Sequence, residues 1–156
     1  MKIGAVGLGN RIAHVYHELS QINKDAELIA YVDPLPIGRE YAEKNNFFPT
    51  KEYSTLNEML SNEKLDLLMI GSPNHLHLEH IKIGLNSGIK IFAEKPIVVN
   101  ENQSFELAKL LGEFGEEQVL VGLVLRYSQH ARSVRDLINK NVLGKIVSIE
   151  ASEHIM

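Results

Sequence analysis

A chain of 156 residues with 44% hydrophobic and 23% charged residues has the composition of an ordinary globular protein, long enough for one good core or for one domain and the start of another. A net charge of −4 without a basic run offers no electrostatic footprint for nucleic acid or an anionic membrane, and no apolar run approaches the ~20 residues that span a bilayer. The absence of cysteine excludes disulfides and thiol catalysis, and with an N-terminus lacking a small-residue cleavage pattern it leads us to expect a cytoplasmic protein without a secretory leader.

The first 33 residues set the pattern for the rest. Ile3 to Val6 is short, apolar and closed by glycine, which suits a buried parallel strand. Gly7 and Gly9 follow as a turn into a helical stretch. In dinucleotide binding the first such glycine makes the bend, the second lets backbone approach a pyrophosphate, and the following helix N-terminus stabilises its charge. The position where a third glycine or alanine usually allows close helix-to-strand packing is Ile12, which implies a wider spacing or a reshaped turn. A second strand, Glu27 to Val32, ends at Asp33, 21 residues beyond Ile12 and near the spacing at which a carboxylate accepts hydrogen bonds from a ribose. Glycine turns after strands are common, so a purely structural turn stays open; the strand before, the helix after and the acid ending the next strand favour nucleotide binding.

The first helix places Ile12, Val15 and Leu19 on one face and leaves His14 and His17 largely in solvent. Pro34-Leu-Pro36 is a turn, with Pro36 suited to a first helical position, and a weaker helix runs to about Asn45. NADP-binding proteins often carry a basic residue immediately after the second strand. Here Pro34 stands there, so NAD is the expected cofactor, while Arg39 keeps NADP open. Thr55-Leu-Asn-Glu58 is a capping box for a helix carrying Leu56, Met59 and Leu60. The run Asp66 to Ile70 reads as a central parallel strand. Its exit, Gly71-Ser-Pro-Asn-His75, puts Ser72, Pro73, Asn74 and His75 at the carboxyl edge, where a cofactor ring lies in such sheets. His75, His77 and His80 are not accompanied by cysteine or an acidic cluster, so no metal site is expected; the helix turns Leu78, Ile81 and Leu85 to the sheet.

Lys90 to Pro96 is the next strand and its exit. Lys95, at the carboxyl end, is either a surface lysine or a proton acceptor whose pKa partial burial and a cationic nicotinamide would lower. Pro96 raises the chance of a cis peptide. Asn100 with Gln103 caps a helix whose Leu107, Leu111 and Phe114 share a face. A strand from Gln118 to Leu125 leads to Arg126-Tyr127. A last helix, about Gln129 to Lys140, is expected to bury Val134, Leu137 and Ile138 with Arg132 and Arg135 solvated. From Lys145 to Glu153 polar and apolar residues alternate as in a half-buried strand. It has no partner after it, so self-association through its edge, or disorder, is expected.

Together, Gly7-Leu-Gly9, Asp33, Ser72-Pro-Asn-His-Leu-His77, Glu94-Lys-Pro96 and Arg126-Tyr127 resemble the glucose-fructose oxidoreductase, inositol dehydrogenase and rhizopine catabolism (Gfo/Idh/MocA) family. The likeness covers essentially the whole chain, and Glu-Lys-Pro after a strand is its most specific part. It implies an α/β Rossmann domain, a doubly wound parallel sheet with helices on both faces, over residues 1–143. Residues 144–156 would then be the first strand of an antiparallel substrate domain lying beyond this sequence. By the same resemblance, Gly7, Gly9, Asn10 and Arg11 hold the pyrophosphate of NAD or NADP and Asp33 the adenosine ribose. Ser72, Pro73, Asn74 and His75 border the nicotinamide half, Glu94 and Pro96 position Lys95, and Arg126 borders the cofactor. Lys95 assists removal of a proton from a sugar or cyclitol hydroxyl as hydride passes to or from nicotinamide. A homo-oligomer is expected. Two other readings are a nucleotide-sensing or interaction module without chemistry and a Rossmann methyltransferase; the first does not need Lys95, and the second explains neither Ser72-Pro-Asn74 nor Lys95-Pro96.

Overall fold

Alternating apolar runs and amphipathic stretches fold, in the computed structural model, into a six-stranded sheet with helices packed on it; residues 1–47 and 51–152 are described. The chain divides into two compact units, Met1–Gly122 and Leu123–Met156. In the first, the order is β1 (Lys2–Val6), α1 (Asn10–Ile22), β2 (Glu27–Val32), α2 (Ile37–Lys44), β3 (Lys51–Glu52), α3 (Leu56–Asn62), β4 (Leu67–Ile70), α4 (His77–Asn86), β5 (Lys90–Ala93), α5 (Glu101–Phe114) and β6 (Val119–Val121). All neighbouring strands are parallel, in the order β3-β2-β1-β4-β5-β6. After β3 the chain therefore returns across the sheet to place β4 beside β1, the point at which an open α/β sheet reverses direction and its strand ends part to leave a crevice.

The pleat divides the core into two layers. Leu68 and Ile70 of β4 join Leu56, Met59, Leu78, Ile81 and Leu107 from α3, α4 and α5 on one face. Met69, between them, joins Ile12, Ala13 and Tyr16 of α1 on the other. This is the doubly wound α/β arrangement expected from the sequence. The buried stripe of α1 is rotated from the expected one: Ile12, Ala13 and Tyr16 are buried, while Val15 and Leu19 are only partly so. The aromatic wins the central place because its hydroxyl has polar partners inside, donating to Ala26 O at 3.3 Å and accepting from Leu28 N at 3.1 Å.

Caps behave as their residues dictate. Thr55 accepts from Glu58 N at 3.1 Å, and the Glu58 carboxylate accepts from Ser54 N. Asn100 accepts from Gln103 N at 2.9 Å, while Gln103 Oε1 accepts from Val99 N. β3, two residues long, carries no periodic signal and was not expected. β6 stops at Val121 instead of reaching Leu125, because it pairs with only Ile91 to Ala93 of β5.

The second unit holds a short 3-10 turn, Val124–Tyr127, and α6 (Gln129–Asn139), whose N-cap Ser128 accepts from Ala131 N. None of α6 is buried. Val134, Leu137 and Ile138, expected in a core, are 52%, 41% and 39% exposed, whereas Arg132 and Arg135 are in solvent as expected. Residues 145–152 form neither helix nor strand. The half-buried strand expected there is not formed over these residues, since alternation stabilises a strand only when a neighbouring edge supplies hydrogen bonds and a face to cover. Its last residue, Glu153, lies outside the described residues. No helix among the described residues is long and apolar enough to cross a membrane.

Candidate functional site

The carboxyl ends of β1 and β4 come together through two glycines. Gly7 has φ +78°, donates its N–H to Val32 O at 2.8 Å, and leaves so little room that a Cβ would stand 2.3 Å from Ser72 N. Gly71 donates to Val6 O at 2.9 Å, and a Cβ there would stand 2.3 Å from Ile12 Cγ1. Ile12 is 1% exposed. Its bulk, expected to widen the helix-to-strand distance, occupies the space that Gly71 leaves on β4. The small residue is on the neighbouring strand's exit, so the glycine turn keeps its tight form.

Gly9 differs from both. It is the extended N-cap residue of α1, provides no side-chain cap, and a Cβ on it would meet nothing within 4 Å. The first intrahelical bond is Ala13 N to Gly9 O at 3.0 Å. The N–H groups of Asn10, Arg11 and Ile12 precede it, and at a helix start such groups with the positive dipole end favour an anion. α2 closes against this turn: a Cβ on Gly38 would stand 1.0 Å from Leu8 O. That backbone-to-backbone contact was invisible in the sequence, where Gly38 reads only as a poor helix former.

Two neighbouring clefts open here. The larger, 770 Å³, is lined by Gly7, Gly9, Asn10, Asp33, Ser72 and Pro73, with Leu76, His80 and Ile83 of the β4-to-α4 segment and Thr55 to Asn57 around the start of α3. The smaller, 230 Å³, is lined by Gly9, Arg11, Asn74, His77, Glu94 and Lys95. Thus Gly7, Gly9, Asn10, Arg11, Asp33, Ser72, Pro73, Asn74, Glu94 and Lys95 are assembled around one crevice. Asp33 also shapes its loop, its Oδ1 accepting from Leu35 N at 2.8 Å. His75 is exposed on the 3-10 turn Asn74–Leu76 and lines neither cleft. Arg126 belongs to the second unit. Lys95 is exposed while lining the smaller cleft, so the burial expected to act on its amine is not present. The peptide before Pro96 is cis.

Histidines the sequence left without a role tie the walls together. His77, 1% exposed, sets Nε2 2.8 Å from Ser72 O and Nδ1 2.8 Å from Pro96 O, linking the exits of β4 and β5. His80 Nδ1 lies 2.8 Å from Ser72 Oγ, and burial pushes its pKa below the ordinary 6.5, with the neighbouring Glu79 pulling the other way and His77 adding to the depression. Glu94, buried beside Lys95, has one carboxylate oxygen, Oε1, without a hydrogen-bond partner among the described residues. This oxygen lies against Gly122, just after β6, where a Cβ would stand 3.0 Å from it.

Residues 1–123 match the model of a family described as "Oxidoreductase family, NAD-binding Rossmann fold". The chain belongs to the Gfo/Idh/MocA family. Among its relatives are a 2,7-anhydro-N-acetylneuraminate hydratase of Mediterraneibacter gnavus, 29% identical over 83% of this chain and 34% of the relative, and a glucose-6-phosphate 3-dehydrogenase of Bacillus subtilis, 29% identical over 96% and 41%. The structure of myo-inositol 2-dehydrogenase from Lactobacillus plantarum superposes with a TM-score of 0.78 at 25% identity, covering 94% of this chain and 43% of that one. The chain thus spans less than half the length of these Gfo/Idh/MocA relatives. Open space above Gly9, an uncapped helix start and Asp33 on the same cleft all fit the dinucleotide for which this family's Rossmann domain is named.

Proposed function

We propose that this chain is the cofactor-binding part of an NAD-dependent oxidoreductase acting on a hydroxyl-bearing carbon of a sugar or cyclitol. The observation that carries it is the meeting of two clefts at the switch point, one reaching from the α1 N-terminus to Asp33, the other holding Lys95 and Glu94. NAD, when bound, supplies the hydride acceptor at nicotinamide C4 and, reduced, the donor. The chain's own part is to hold and orient. Backbone N–H groups at Gly9, Asn10 and Arg11 face the pyrophosphate, and the Asp33 carboxylate accepts from the adenosine ribose hydroxyls. Ser72, Pro73 and Asn74 border the nicotinamide half, with Glu94 and Pro96 positioning the Lys95 amine to accept the substrate hydroxyl proton.

Sugar and inositol dehydrogenases among the relatives support the substrate class. Because the chain covers under half of them, we place the rest of the substrate pocket in a second domain entered from about residue 144, and expect residues 1–156 alone to bind cofactor without turning over substrate. A cytoplasmic location fits the lack of cysteine, and a homo-oligomer fits the exposed apolar residues of the second unit. Calorimetric titration with NADH tests the reading. Wild type binds, and Asp33→Ala weakens binding by about tenfold, the loss of roughly one charge-assisted hydrogen bond. Absence of NADH binding would favour a module without cofactor chemistry.

A further inference from the structure

Beyond Asp33 the large cleft is flanked by a recess of 190 Å³ whose lining includes Tyr31, Asp33, Arg39 and Glu52. Glu52 also shares a second hollow with Asp33 and Ser54. If Asp33 holds the adenosine ribose, as proposed above, these side chains surround the place where NADP carries its additional 2′-phosphate. Among the described residues the one cation lining the recess is Arg39, which the sequence alone leaves as a reason to keep NADP open.

Arg39 is faced by carboxylates on two sides. Its Nε donates to Glu43 Oε1 at 3.1 Å, one turn along α2, and its Nη1 lies 3.7 Å from Glu52 Oε2. The same Glu52 oxygen accepts from the hydroxyl of Tyr31 at 2.8 Å. Tyr31 is buried on β2, so its ring is fixed in the core and its hydroxyl anchors the Glu52 carboxylate at the recess mouth. Burial and that carboxylate both raise the tyrosine's pKa, keeping it a donor. β3 is only Lys51–Glu52, and its register sets Glu52 opposite Tyr31.

We infer that Glu52 determines the choice of NAD over NADP, by adding its charge to that of Glu43 against Arg39 and by setting a second carboxylate on the recess that Asp33 lines. A doubly charged phosphate entering the recess meets two negative groups and an arginine already faced by carboxylates, whereas a ribose hydroxyl meets two acceptors. The pairs are exposed, and exposed ion pairs contribute little to stability. Their effect is therefore on discrimination and not on folding.

The test is calorimetric titration of wild type, Glu52→Gln and the double variant Glu52→Gln/Arg39→Ala with NADH and NADPH, with thermal melts to confirm that the exposed substitutions leave the fold intact. Glutamine keeps an acceptor for Tyr31 and removes the charge. Wild type should bind NADH more tightly than NADPH. Glu52→Gln should narrow that ratio by about tenfold through a gain in NADPH affinity, and removing Arg39 should abolish the gain. NADH binding with an unchanged ratio in Glu52→Gln, or a wild-type preference for NADPH, overturns the inference while leaving cofactor binding in place. Failure of all three proteins to bind either nucleotide overturns the reading on which the inference rests, and the inference with it.

Discussion

His80 shows how one side chain links the cleft to pH. Its ring sits against Ser72 in the wall of the larger cleft, and desolvation disfavours the imidazolium. With the folded pKa below 6.5, the unfolded chain binds more protons between the folded value and 6.5, so the contribution is fully present above that window and is lost as pH falls through it. The melting temperature should drop as pH falls below about 6.5, and His80→Gln should flatten part of that slope. An identical slope in the variant would place the dependence elsewhere. The neighbouring pair Ile12 and Gly71 makes a different point at the same scale. Read locally, Ile12 departs from the glycine pattern; in space, its Cγ1 fills the volume a Cβ on Gly71 would take. No local pattern connects residues so far apart in the chain, which is why the departure read as a defect.

At the scale of elements, helix starts were legible because a cap is made by residues three apart. Thr55 with Glu58 and Asn100 with Gln103 form the bonds their spacing predicts. The helix at the centre of the site, α4, was legible in its apolar face but not in its polar one. Leu78, Ile81 and Leu85 are buried as expected, while His77, its first residue, is turned inward to the carbonyls of Ser72 and Pro96. A carbonyl oxygen only accepts, so each contact is a hydrogen bond when the facing ring nitrogen carries a proton. His77→Phe keeps the ring volume and removes the ring N–H, leaving the carbonyls of Ser72 and Pro96 without this donor. It should cost about 1–3 kcal/mol in urea unfolding, and weaken NADH binding more than its loss of stability accounts for, since Lys95 and Pro73 sit on the loops it joins. Unchanged NADH affinity in the folded variant would reduce His77 to packing.

Over the whole molecule, the sheet order decides where the chemistry gathers. The exits of β1, β4 and β5 carry Gly9, Ser72 and Lys95, and only an order that sets β4 between β1 and β5 puts them on one crevice. The second unit poses the opposite case. α6 has Val134, Leu137 and Ile138 at helical spacing yet exposed, and Val147 and Ile149 of the tail are 91% and 79% exposed. Apolar surface of this kind favours association. Sedimentation equilibrium should show concentration-dependent self-association that Leu137→Lys reduces; a monomer at all concentrations would remove the support for a homo-oligomer.

The main alternation of strands and helices from β1 to α5, apart from the two-residue β3, and the residues at the ends of β1, β2, β4 and β5 were determined by the sequence itself, because period, glycine, proline and caps act over a few neighbouring residues. The resemblance to the Gfo/Idh/MocA family rested on those same short segments. The partnership of Ile12 with Gly71, the closure of Gly38 on Leu8, the inward turn of His77, the exposure of Lys95 and the approach of Glu52 to Arg39 were decided only by the tertiary structure. Each depends on which strand lies beside which, and that is settled by burial summed over the whole sheet, not by any one segment.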